Sequence, residues 1–324
     1  MNASGVAGSA SGSNPRFWSG YWKSLKARAV EEPIDIWFHR PFAYVITRAL
    51  LPTRVTPNMV TFVAMLFGIA SGVCMVIGFP LHLQAAGLAL VLAMIFDCAD
   101  GQLARMRGTA SPFGRIMDGC SDLVITIAFA GGTAFVVLGE HWQPPVLRYV
   151  AALAVVVAGV TTSFHMAMYD HFKNVFMKFT LPSYRDADVA EARERIDVET
   201  GWFGVLVRIC WPVFMFYVNS QESVLRTFDP NTPKFSQLPP YAEERARIYV
   251  KHAERPLAVL RTWFGPGSLA FGVAVSSALG WLDGYILFRL FVLNAVFYGY
   301  VRPAQRRASL EAFREMNWTF DRAA

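Results

Sequence analysis

Long apolar runs, nearly free of charge, divide this sequence and leave few folds open to it. About 20 apolar residues cross a bilayer as a helix, and in lipid a helix satisfies its own backbone polar groups. Six runs qualify as candidates, at about 60–79, 83–104, 114–138, 147–168, 267–281 and 286–301. The fifth is short and reaches a full span only if it starts earlier, near Leu257. Of the 324 residues, 54% are hydrophobic and 17% charged; soluble domains carry about a quarter charged residues. The chain therefore reads as all-α: a polytopic membrane protein with six transmembrane helices and an N-terminal interfacial amphipathic helix.

The basic residues lie between the runs. Arg48 and Arg54 precede the first; Arg105, Arg107 and Arg115 separate the second from the third. Lys173 and Lys178 follow the fourth, and Arg302, Arg306 and Arg307 the sixth. The alternate connections, near 78–82, 139–145 and 282–284, carry almost no Lys or Arg. The positive-inside bias puts both termini and the 105–115 connection in the cytoplasm, with a bacterial inner membrane as the expected setting. The net charge of +6 suits an anionic membrane surface. No nucleic-acid partner is expected, because the aromatics sit within and beside the apolar runs.

Five regions follow. Residues 1–32 are expected to be a flexible tail, opening in Ser, Gly, Ala and Asn without a signal-peptide pattern. Residues 33–169 hold the juxtamembrane helix and four spans. In the stretch 34–51, Trp37, Phe38, Phe42, Tyr44, Val45 and Ile46 alternate with His39, Arg40 and Arg48, which a helix lying at the interface turns toward headgroups. Residues 170–261 form a cytoplasmic insertion with charges at Arg193, Glu194 and Arg195, an interfacial run at 203–218 and a helix at about 241–252. Residues 262–303 hold the last two spans, and 304–324 a cytoplasmic tail. Cys74, Cys98, Cys120 and Cys210 form no CxxC pair and read as small hydrophobes.

Four carboxylates break the apolar pattern. Asp97 and Asp100 close the second run three residues apart, and Asp118 and Asp122 open the third four apart. Each pair shares a helix face. A short connection makes the two helices antiparallel, which places Asp97 level with Asp122 and Asp100 level with Asp118. Ionisable groups in a span face a polar cavity or a partner. Four like charges need compensation, and an all-oxygen set suits Mg²⁺, Mn²⁺ or Ca²⁺. Gly101, Ala104, Gly108 and Gly114 leave room beside them, and Arg105, Arg107 and Arg115 supply cations for phosphate. This combination points to diphosphate chemistry at a membrane surface.

Asp97, Asp100, Gly101, Ala104, Arg105, Gly114, Asp118 and Asp122 together resemble the signature of the CDP-alcohol phosphotransferase (phosphatidyltransferase) family. The likeness is good over about 41–168 and vague over 170–261, which the small bacterial members lack. It implies an enzyme of phospholipid biosynthesis that passes a phosphoalcohol group from a CDP-linked donor, CDP-diacylglycerol or a CDP-polar alcohol, to an alcohol acceptor. It implies two ions, Mg²⁺ or Mn²⁺, on Asp97, Asp100 and Asp118, with Asp122 sharing the second and serving as general base. Asp97, Asp100, Gly101, Ala104, Arg105 and Gly114 would line the CDP pocket. A homodimer in the bilayer is expected.

Outside the motif, His165 in the fourth run and Arg289 in the sixth are candidate acceptor or phosphate contacts, each with a structural alternative: a hydrogen-bonded core histidine and a snorkelling arginine. Asn294 reads as glue between helices. Thr56-Pro57-Asn58 reads as a helix start that could also support the nucleotide. The rival function is a divalent-cation transporter using the aspartates for permeation; it lacks an internal repeat and leaves Ala104-Arg105 without a role. The charge asymmetry makes one prediction. In sealed cells, a cysteine placed at 143 in a cysteine-depleted background is labelled from outside, and cysteines at 107 and 230 are not. Labelling at 107 would reverse the orientation.

Overall fold

A computed structural model describes residues 15–25, 29–109, 112–139, 145–182 and 235–318, with isolated positions between 204 and 233. Among the described residues all regular structure is helical: α1 (Pro15–Ser24), α2 (Arg40–Leu50), α3 (Pro57–Ile77), α4 (His82–Arg107), α5 (Pro112–Gly139), α6 (Pro145–Thr180), α7 (Glu243–Trp263), α8 (Pro266–Ala278) and α9 (Leu282–Glu315). A π turn at Asp35–His39 leads into α2, and α9 contains two more, at Phe288–Leu293 and Phe297–Val301. Five of these helices, α3, α4, α5, α6 and α9, are long and apolar enough to cross a membrane. The chain is an integral membrane protein.

The fifth expected span takes a different form. An earlier start near Leu257 does not extend it, because α7 ends at Trp263 and α8 begins afresh at Pro266, after Phe264 and Gly265 leave the helix. The 13 residues of α8 rise about 20 Å, less than the ~30 Å hydrocarbon layer. α8 lies along α4: Ser277 Oγ donates to the Leu83 carbonyl at 2.8 Å, Gln84 Nε2 donates to the Ala278 carbonyl at 3.2 Å, and Gly87 admits the Ala274 carbonyl.

Three helices set the site's frame. α3 packs along both α4 and α5, while α4 and α5 scarcely touch. Phe67 of α3 stacks on Phe96 of α4 with centroids 5.4 Å apart. On its other side, a Cβ at Gly72 would overlap the Ala128 carbonyl and one at Gly68 the Ile125 side chain. The small residues let α3 and α5 approach backbone to backbone, as membrane helices without a hydrophobic drive must.

The N-terminal segment departs from the expected tail. α1 lies inside it, and Tyr21, Val30, Glu31 and Glu32 are buried. Tyr21 donates to the Ile36 carbonyl, and Tyr169 of α6 donates to the Val30 carbonyl at 2.9 Å. Glu32 caps α8, accepting from the N–H groups of Gly267 (3.1 Å) and Ser268 (2.8 Å); a side chain at Gly265 would strike its carboxylate. Burial and the neighbouring Asp35 push the Glu32 carboxyl up to about 8. α2 also sits differently from expectation. Trp37, Phe42, Val45 and Arg48 face outward, but His39 and Arg40 turn inward, where Asp35 (2.8 Å) and Glu31 (2.8 Å) pair with them.

α6 runs 36 residues, well past the expected span. Its far end packs with α7, the end of α9, Leu225, Phe228 and Leu238 into a second core that includes Phe172, Phe176, Phe179, Tyr249 and Phe313. The described end of the insertion and the expected C-terminal tail are therefore packed structure. Asp229 is buried there and accepts from Thr232 (2.7 Å) and Ser309 (2.6 Å). Most of the run 203–218, Arg193, Glu194, Arg195 and position 143 lie outside the described residues. Cys74, Cys98 and Cys120 are free thiols.

The close α3–α5 approach is testable. Gly72→Val is expected to cost ~1–3 kcal/mol through overpacking, read as a lower Tm in detergent. Gly131→Ala, whose Cβ would meet nothing within 4 Å, should leave Tm unchanged or raise it.

Candidate active site

α4 and α5 both rest on α3, and aspartates of the two helices come together. Ligand oxygens of Asp97, Asp100 and Asp118 lie within 4.8 Å of one another. Asp100 is buried, Asp97 and Asp118 are half-buried, and Asp122 is exposed.

The surrounding helices hold the cluster in place. Thr61 of α3 donates its hydroxyl to Asp100 Oδ2, and Ser121 of α5 reaches the Thr61 carbonyl at 3.5 Å. Thr47 of α2 donates to the Ala99 carbonyl at 3.1 Å, fixing α2 against the same turn of α4. Asp97 Oδ1 is buried without a hydrogen-bond partner. A buried carboxylate oxygen with no donor, beside two further carboxylates, fits a hard divalent cation.

Beside the acids stands a cationic side. Gly101 has no side chain, and Arg105 Nη1 comes within 3.2 Å of where its Cβ would be. Arg105 Nε donates to the Ser24 carbonyl at 2.9 Å, while its Nη2 is buried without a partner. Ala104 and Gly114 are half-buried. Arg107 serves the scaffold: it donates to the carbonyls of Leu50 (2.7 Å), Thr53 (2.9 Å), Leu51 (3.3 Å) and Val55, which ties the α2–α3 connection to the end of α4. The Arg115 side chain lies outside the described residues. Thr56 caps α3 by accepting from the Met59 N–H at 3.3 Å, with Pro57 at the first helical position.

Residues 54–181 match the family model described as CDP-alcohol phosphatidyltransferase. The match covers 128 of the 324 residues. Three curated proteins are similar to part of the chain. A bifunctional IPC transferase and DIPP synthase of Thermococcus kodakarensis is 34% identical over 145 residues, 43% of this chain and 32% of its own length. A phosphatidylinositol phosphate synthase of Corynebacterium glutamicum is 29% identical over 119 residues, 37% of this chain and 53% of that protein. One of Mycobacteroides abscessus is 39% identical over 89 residues, 26% of this chain and 39% of the relative. The chain thus spans between 32% and 53% of the length of these relatives.

The matched segment comprises α3 to α6, so α1, α2 and α7–α9 lie outside it. Two candidates from the sequence meet away from the aspartates. Arg289 of α9, in the first of its π turns, is buried and donates from Nε to Thr162 Oγ1 (2.9 Å) and from Nη1 to the Tyr285 hydroxyl (3.2 Å). It borders a cavity of about 220 Å³ with Trp263, Phe271, Tyr285 and Phe288, and its Nη2 has no partner. His165 is enclosed by Phe264 and Phe297, with ring centroids 4.9 and 4.1 Å away, beside Asn294 and Arg289. Asn294 donates to Thr161 Oγ1 at 3.3 Å, joining α9 to α6.

Thr61 is the site residue that sequence reasoning passed over. Its signal is faint, a single hydroxyl in an apolar run. Partners of this kind typically change metal affinity by ~10–100-fold. Thr61→Val should weaken Mn²⁺ binding about tenfold by calorimetry, at the low end of that range, while Thr61→Ser retains it.

Proposed function

We propose that this chain is a metal-dependent CDP-alcohol phosphotransferase that moves a phosphoalcohol group from a CDP-linked lipid or polar alcohol to an acceptor hydroxyl and releases CMP. The observation that carries this reading is the convergence of Asp97, Asp100 and Asp118 within 4.8 Å, on motif positions of the matched domain and next to Gly101 and Arg105. Two relatives are named for phosphatidylinositol phosphate synthesis, which supports a polyol or polyol phosphate as acceptor. The active site faces the cytoplasm.

Asp97, Asp100 and Asp118 would hold the Mg²⁺ or Mn²⁺ ions, with Asp122 as a further ligand. When bound, the ions neutralise the donor diphosphate and the charge that develops on the leaving CMP. Gly101, Ala104 and Gly114 admit the nucleotide closely, and Arg105 pairs with its phosphate oxygens. Asp122 sits one turn beyond Asp118, exposed at the open side of the cluster, where an acceptor approaches. Its ionised carboxylate takes the proton of the acceptor hydroxyl as that oxygen bonds to the phosphorus bearing the donor alcohol. The bond from this phosphorus to the CMP oxygen breaks, and CMP leaves with the electron pair. Arg289, with His165 behind it, is proposed to contact acceptor or lipid from the side of α9.

A cation pathway is disfavoured, because Arg40 and Arg105 stand beside the aspartates and would oppose cation passage. Measuring CMP release from a panel of CDP donors tests the transferase reading. A chelator should abolish release, and Mg²⁺ or Mn²⁺ should restore it. Asp122→Asn should lower kcat by roughly 10²–10⁴-fold, the range of acid–base groups, and still bind CDP. Asp97→Ala should weaken metal and CDP binding together. Full turnover in excess chelator, or an undiminished Asp122→Asn, would refute the mechanism.

A further inference from the structure

A second arginine reaches the aspartate cluster from outside the matched domain. Arg40 begins α2, is 7% exposed, and pairs through Nη2 with Glu31 Oε2 at 2.8 Å. Its Nε and Nη1 are buried with no hydrogen-bond partner. The backbone around it is fixed: Gln102 Nε2 of α4 donates to the Arg40 carbonyl at 3.3 Å, and Thr47, two turns along α2, is bonded to the Ala99 carbonyl. Arg40 lies close enough to Asp97 and Asp35 to feel their charge, and close enough to Arg105 for the two guanidinium groups to repel.

Leaving buried guanidinium nitrogens unbonded is costly, and placing two arginines together adds to the cost. Arg40 presents Nε and Nη1, and Arg105 presents Nη2, all three without hydrogen-bond partners among the described residues. One charge on Arg40 is already balanced by Glu31, so the free N–H groups ask for an acceptor more than for a counter-ion. The guanidinium fork suits a phosphate, which accepts from several N–H groups in one plane. Around α4, Asp97 and Asp100 lie to one side and Cys98 and Arg105 to the other, and Gly101 lies between them with no side chain.

We propose that Arg40 is a substrate-binding residue: together with Arg105 it forms a cationic wall, across Gly101 from the aspartates, that takes a phosphate group of the substrate. This rests on the transferase reading above. The phosphate comes from the diphosphate of the donor or from a phosphate carried by the acceptor, and the two sources can be told apart.

The experiment uses the full chain in nanodiscs with Mg²⁺ and calorimetry, with CDP and inorganic phosphate as probes. Arg40→Gln should lose roughly ten- to hundredfold in affinity, the worth of hydrogen bonds to a charged group. Arg40→Lys should recover part of it. A loss toward CDP places the phosphate on the donor; a loss toward inorganic phosphate alone places it on the acceptor. Glu31→Gln, which keeps the arginine, should bind both probes normally. The double variant Glu31→Gln/Arg40→Gln, which leaves no unpaired Glu31 charge, should show the same loss as Arg40→Gln. Unchanged affinity for both probes in Arg40→Gln overturns the proposal, and so does an equal loss in Glu31→Gln, which would make the pair structural. If wild-type protein binds inorganic phosphate through Arg40 but does not bind CDP, the transferase reading fails and the phosphate site stands.

Discussion

Charge buried at the level of a membrane must be compensated within hydrogen-bonding distance, since lipid offers no solvent to do it. Nearly every such group in this protein is answered locally. Glu31 pairs with Arg40, Asp35 with His39, and Glu32 with the first N–H groups of α8. Arg107 is spread over four carbonyls, and Asp229 is held by Thr232 and Ser309. Among the described residues the buried side-chain atoms left without a partner include Asp97 Oδ1 and nitrogens of Arg40 and Arg105 around α4, and Arg289 Nη2 on α9.

Geometry turns that residue of charge into a site. Had α4 and α5 packed face to face, the aspartates would have been forced together with no space for ions. α3 stands between them instead, gripping α5 through Gly68 and Gly72 and α4 through Phe67, so the two acidic faces converge at a distance that α3 sets. Thr61, on that same helix, touches one of the carboxylates directly. The spacer and the orienting group are thus one element.

The motif, the four clear spans and the convergence of the aspartates were legible in the sequence because each rests on local spacing along a helix. Other features were not, and the reasons are specific. His39 and Arg40 sit in a pattern that reads as an interfacial helix with its basic residues outward; they turn inward because Glu31 and Asp35, a few residues earlier, can pair with them, and an amphipathic pattern carries no information about such pairs. The break at Phe264–Gly265 has a local cause in Gly265-Pro266, but that Glu32, more than 230 residues away, receives the start of α8 has no local signal. The long ends of α6 and α9 are polar enough to read as insertion and tail, and become helices by packing on each other around Phe176, Tyr249 and Phe313. Thr61 had no local signal beyond its hydroxyl.

The clamp between Glu32 and the start of α8 also has a bearing on biosynthesis. Its two partners are 235 residues apart, so at ~5–20 residues per second the N-terminal segment waits roughly ten to fifty seconds after emerging before its partner is made. α3, α4 and α5 are complete long before then, and the acidic half of the site can assemble early in the bilayer. Arg40 is held by α4 through Gln102 and does not wait for α8; Glu32 does. A ribosome that stops early would therefore leave behind a protein with its acidic groups in place and the Glu32 carboxyl without the N–H groups that receive it.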